Sequence, residues 1–223
     1  DAAGSISYRD ATGFDVAAMQ TRANATLNAG AVVTQSGAIS AAGLELLGTG
    51  PYTLTFATND VDTIAANTAD AISFRDADGL SVGTVNATTG ITTSGDNVSL
   101  QTGAALVINE DISLGAGNLT LNVVGGATQG AGDTITAAGL ELLGSGAVVL
   151  TDAGNNVATL AANTADTTSY QDADGLSVGT VNATTGITTS GDNVTVDVGG
   201  LLTIIAAVSG ADVSLTGDGG IGL

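Results

Sequence analysis

A stretch of 23 residues occurs twice, unchanged and 96 residues apart: Asp76 to Val98 and Asp172 to Val194 both read DADGLSVGTVNATTGITTSGDNV. The same offset carries Ala41–Gly48 onto Ala137–Gly144 and Ala65–Asp70 onto Ala161–Asp166, with no insertion or deletion. A chain that repeats itself in this way extends a structure rather than elaborating a single site, so an architectural role comes ahead of catalysis. The copies divide the chain into a shortened copy over 1–40, a complete copy over 41–136 and a second over 137–223 that diverges after 198. All three read as one continuous array. The chain opens at Asp1 inside a repeat and reads as a section of something longer.

A finer rhythm runs inside the 96 residues. Strand-like segments begin near Val61, Leu80, Val98, Leu119, Ile135, Val157, Leu176, Val194 and Val213, at intervals of 16 to 22 residues. Each alternates apolar with small or polar residues, as in Leu119-Thr120-Leu121-Asn122-Val123, the pattern of a half-buried strand. Helical spacing is nowhere sustained, and 33 Gly fall too often for long helices. The residue before the strand is Asp60, Asn97, Asn118, Asn156, Asn193 or Asp212, and Gly79 or Gly175 in two further cases. These types tolerate left-handed backbone and form side-chain turns, so they mark a recurring corner. The expected fold is all-β: a single-stranded parallel β-helix (β-solenoid) of about 19 residues per coil and about 11 coils, forming a rod of about 50 Å at a strand spacing of about 4.8 Å. Right-handedness follows from the general preference of parallel crossovers. Stacked Asn at the corner predicts an inward-facing hydrogen-bonded ladder over Asn97, Asn118 and Asn193.

The blocks Gly139 to Thr151, Asn155 to Asn163 and Gly175 to Val181 resemble, in style and period, the repeat regions of filamentous-haemagglutinin-like exoproteins. The likeness spans essentially the whole chain. It implies a β-helical shaft of a large bacterial surface or secreted adhesin, many of which leave the cell by two-partner secretion.

Charge and composition limit the partners. There are 22 Asp and Glu against Arg9, Arg22 and Arg75, a net charge of −19. That argues against nucleic acid, whose binding depends on Lys and Arg, and against anionic membrane surfaces. No apolar run approaches the roughly 20 residues of a membrane helix. Absence of Cys removes a disulfide framework without bearing on secretion. With no His, Cys or Lys there is no imidazole base, thiolate or Schiff-base amine, and the chain is read as non-catalytic with no resident cofactor. Intervals of at most 22 residues also leave little room for the long loops that line a substrate groove.

Several residues remain candidates for other chemistry. Asp76, Asp78, Asp172 and Asp174 stand as D-A-D-G before a turn and offer part of a calcium ligand set, but an Asx-turn explains them without a metal and is the preferred reading. Six N-x-S/T sequons occur at Asn24, Asn86, Asn97, Asn118, Asn182 and Asn193. Asn86 and Asn182, away from the expected ladder, are the better candidates to carry any sugar. Tyr8, Phe74 and Tyr170 share one repeat position and read as core fillers rather than a carbohydrate platform. The function expected is an extracellular or cell-surface shaft in adhesion or matrix formation. Its partners would be adjoining coils, other copies of itself, or host and matrix glycans and proteins. A self-assembling filament subunit and a polysaccharide-active β-helix enzyme are the alternatives.

Overall fold

Val, Ile and Leu alternate with Thr, Ser and Asn here because one side of each segment is buried and the other is wet. The computed structural model describes residues 3–223 and contains, among them, 31 strands and no helix. Twenty-seven strands form one sheet. Strand Val98–Thr102 shows the construction: Val98, Leu100 and Thr102 are buried, while Ser99 and Gln101 face outward. Val98 lies in parallel register between Ile72 and Leu119, and Leu100 between Phe74 and Leu121. Repeated around the axis, this gives a β-solenoid of about 11 turns. Each turn stacks its apolar side chains onto those of its neighbours, so the core is a thin column rather than a central ball. Among the described residues no buried side-chain nitrogen or oxygen lacks a hydrogen-bond partner.

The turns are not of one length. Ile6, Ala25 and Leu44 pair at steps of 19, and Val98, Leu119 and Leu140 at steps of 21. Ile72 to Val98 and Thr168 to Val194 each take 26. The evenly spaced strand starts of the sequence therefore do not all stack. Leu80 pairs with Leu106, whereas Val98 pairs with Ile72 on another face. The expected ceiling of 22 residues is also exceeded, and the excess is a structured insertion.

That insertion is an antiparallel hairpin, Thr84–Val85 with Thr88–Thr89, placed in the middle of a parallel strand. Strand Asp60–Thr68 pairs with Val82 through Ile64 and with Ile91 through Ala66, so the hairpin leaves the coil between those two contacts. The second copy does the same with Thr180–Val181 and Thr184–Thr185, between Val178 and Ile187. Each hairpin changes the shape of the coil. Before the first, the face is a six-residue strand such as Asn24–Ala29. After it, the same columns hold Leu106–Ile108 and Ile112–Ser113 with a corner between. The second hairpin likewise precedes a split into Leu202–Ile204 and Val208–Ser209.

The 96-residue repeat is consequently not a whole number of turns. Leu44 rises through Ile64, Val82 and Ile108 to Gln129, four turns in one column. Its copy Leu140 stands instead in the column of Tyr52, Ile72, Val98 and Leu119. The two hairpins therefore emerge from different faces of the rod.

Candidate functional site

Each hairpin folds back over the outside of the coils beneath it and closes on one glutamate. Gly83 and Gly90 form its root, where the Gly90 N–H donates to the Gly83 carbonyl at 3.0 Å. Gly90 has φ +66° and Asn86, at the tip, φ +56°; Gly adopts this region freely and Asn more readily than other side chains. Val85, just before the tip, is buried and lies on the bare backbone of Gly43. A Cβ at Gly43 would stand 2.9 Å from Val85 Cγ1, so only glycine leaves room for the hairpin.

Beside Gly43 is Glu45, 6% exposed although its strand position faces outward, because the hairpin covers it. Its Oε1 accepts from Thr88 Oγ1 at 2.7 Å. Its Oε2 accepts from Thr26 Oγ1 at 2.7 Å and from Asn86 Nδ2 at 2.8 Å. Asn86 Nδ2 also reaches Thr26 Oγ1 at 3.1 Å, and Asn24 Nδ2 donates to Asn86 Oδ1 at 2.9 Å. The second clasp repeats the first around Glu141. Thr184 donates to it at 2.7 Å, Thr120 at 2.8 Å and Asn182 at 2.8 Å, while Asn118 Nδ2 holds Asn182 Oδ1 at 3.1 Å. Burial works to raise both glutamates' pKa, but the hydrogen bonds outweigh it and hold them below the usual carboxylate value. Each clasp thus ties three coils together through a buried anion neutralised by dipoles alone. Among the described residues it meets no cation within ion-pairing distance, since the three Arg lie elsewhere.

A second paired feature sits at an interior corner. Asn59 and Asn155 are fully buried, 0% exposed. Asn59 Oδ1 accepts the Ile39 N–H at 2.9 Å and also the Gln35 side-chain amide. Its Nδ2 donates to Leu54 O at 3.2 Å, Arg75 O at 2.9 Å and Gln35 Oε1 at 3.3 Å. Asn155 makes the same set with Ile135, Leu150, Gln171 and Gln129. Neither Asn stands out in the sequence, where their neighbours Asp60 and Asn156 look like the corner residues. The available signal is the Gln that recurs at 35 and 129 after Thr.

The D-A-D-G aspartates divide by burial. Asp76 and Asp172 are buried and Asp78 and Asp174 exposed. Asp76 Oδ2 accepts the Val61 N–H at 2.9 Å and its Oδ1 the Asp78 N–H at 3.1 Å, the Asx-turn geometry. Asp172 does the same with Val157 and Asp174. Burial first, and then a hydrogen bond shared with Asp78, push Asp76 up to about 7. Burial also raises Asp172. Both buried carboxylates thus serve as acceptors for the neighbouring coil. Among the described residues no three His, Cys, Asp or Glu converge as a metal-binding group.

The sequons are placed differently from the expected order. Asn86 and Asn182 have their amide nitrogens engaged twice each in the clasps. Asn97 and Asn193 are exposed rather than turned inward, and their Oδ1 atoms accept backbone N–H groups from the next coil, Asn118 at 2.8 Å and Asp212 at 3.3 Å. The expected inward Asn ladder is therefore a set of single outward-facing rungs, and the asparagines that do face inward, Asn59 and Asn155, lie at a different corner. Phe74 and Tyr170 fill the core, 1% exposed each, while Tyr8 is 44% exposed and stacks edge-on to Phe14 at 4.7 Å.

No family model, curated protein or solved structure matches this chain.

Proposed function

We propose that this chain is a shaft segment of a bacterial cell-surface or secreted exoprotein, extending a rod for adhesion or matrix formation without performing catalysis. The observation that carries the reading is the use of its buried acids. Glu45, Glu141, Asp76 and Asp172 are each bound to donors of neighbouring coils, so the groups best suited to acid–base work hold the stack together. The clasps bridge three coils at intervals along the rod, as resistance to bending or peeling requires. The outward side chains are mostly Thr, Ser, Asn and Asp, giving a hydrated, negatively charged surface that resists nonspecific association.

The test is the intact mass of the denatured polypeptide from its native source. A mass many times the 21.3 kDa of this chain supports the shaft reading. A mass near 21.3 kDa overturns it in favour of a self-assembling subunit or a small enzyme.

A further inference from the structure

The six sequons fall into two structural classes. In four of them, both working groups of N-x-T are spent on a clasp. Asn24 and Asn86 tie the hairpin to the coil below, and their Thr partners, Thr26 and Thr88, donate their hydroxyls to Glu45. Asn118, Asn182, Thr120 and Thr184 do the same around Glu141. In the remaining two, Asn97-Val98-Ser99 and Asn193-Val194-Thr195, the Asn is exposed and only its Oδ1 is engaged. Neither Asn97 Nδ2, Asn193 Nδ2, Ser99 Oγ nor Thr195 Oγ1 makes a hydrogen bond among the described residues, and Ser99 and Thr195 face outward on their strands.

We propose that Asn97 and Asn193 are carbohydrate attachment sites of the folded chain, and that Asn24, Asn86, Asn118 and Asn182 are not. Transfer needs an amide nitrogen free to meet the anomeric carbon of a sugar held by a phosphate leaving group, which a nucleotide- or lipid-linked donor and its transferase supply. The C1–N bond forms as the C1–O bond to phosphate breaks, and the amide gives up one proton to the transferase's base. At Asn97 the nitrogen is available without loss of a protein hydrogen bond, and the anchored Oδ1 presents it outward. At Asn86 the same reaction would place a sugar between the hairpin tip and Glu45, separating the clasp. N-x-T thus serves two roles in this chain, as a fastener where it is paired across coils and as an acceptor where it stands alone. The assignment does not depend on the shaft role.

Cleavage before Asp separates the sites. Peptides starting at Asp96 and Asp192 carry Asn97 and Asn193 and differ in sequence, whereas those starting at Asp78 and Asp174 carry Asn86 and Asn182. In protein from the native source, mass spectrometry is expected to find sugar on the first pair and none on the second. Unmodified Asp96 and Asp192 peptides, or sugar on the Asp78 and Asp174 peptides, overturn the proposal. A second arm uses folded recombinant chain, an N-x-S/T glycosyltransferase and a nucleotide-linked hexose. Ser99→Ala with Thr195→Ala, which leaves both Asn side chains and their hydrogen bonds in place, should abolish the added mass without moving the thermal transition. Persistence of the full added mass in that variant counts against the assignment.

Discussion

The two 23-residue copies are identical in letters and nearly identical in fold, yet the aspartate that begins each one does not have the same surroundings. Asp76 follows Phe74; Asp172 follows Tyr170. Tyr170 donates its hydroxyl to Asp172 Oδ2 at 2.8 Å, whereas Phe74 has nothing to donate. That bond favours the ionised form of Asp172 and opposes the effect of burial. One turn away Asn156 donates to Asp174 at 3.2 Å, where the first copy has Asp60, another acid. The clasp is thus written within the repeated segment, together with the Asn, Thr and Glu of the coils below. The ionisation of its first aspartate is decided by residues outside it.

The largest expected effect tests what the copies share. Asn59→Ala and Asn155→Ala each strand a buried N–H and two buried carbonyls, and each should cost about 3–5 kcal/mol, given about 1–3 kcal/mol per unsatisfied buried group. Equal losses in chemical denaturation support equivalence of the corners, and a difference above about 1 kcal/mol would break it. Next come the clasps. Glu45→Gln and Glu141→Gln replace one acceptor oxygen by a donor facing donors, and each should lose about 2 kcal/mol. Hydrogen exchange should rise at 84–89 in the first variant and at 180–185 in the second, with the other hairpin unchanged.

The copies should then separate. Tyr170→Phe removes a hydrogen bond to a carboxylate and should cost about 1.5 kcal/mol, while Phe74→Tyr supplies the missing donor and should lower the pKa of Asp76 from about 7. Carboxyl titration by NMR reads both, and an unmoved Asp76 would show that the tyrosine is not the cause.

The pH profile tests the same carboxylates without substitution. Asp76 binds its proton more tightly folded than unfolded, so its contribution to stability is full below the ordinary aspartate value and is lost as pH rises to about 7. Glu45 and Glu141 have depressed values, so their contribution is present above the ordinary glutamate value and lost as pH falls through the folded one. Thermal stability should therefore peak in mildly acid solution, and Phe74→Tyr should flatten the alkaline side.

Much of the fold was legible in the sequence. The alternation in Leu119 to Val123, the Gly and Asn at corners and the exact repeat all report local requirements: which side is buried and where the chain bends. The stacking order was not. Leu80 and Val98 look like successive rungs because both begin alternating segments, but Thr84 to Thr89 form a hairpin between them that shifts the column. The site was hidden for a related reason. Glu45 reads as a solvent-facing acid on a strand, and its burial comes from a hairpin about 40 residues later in the chain. Asn86 reads as a free sequon because Thr26 and Glu45, its partners, are distant in sequence.

What the sequence by itself determined is the repeating unit: strands of alternating burial, joined at Asn-, Asp- and Gly-rich corners into coils that stack. Backbone sterics and apolar burial act within a few residues, and a single chain displays them directly. Only the tertiary structure decided which coil lies over which, where the hairpins emerge and which of several identical-looking Asn and Asp side chains are spent on the fold. Those outcomes depend on hydrogen bonds between residues up to 64 positions apart, such as Asn118 with Asn182, and their pairing is fixed by the lengths of the turns between them.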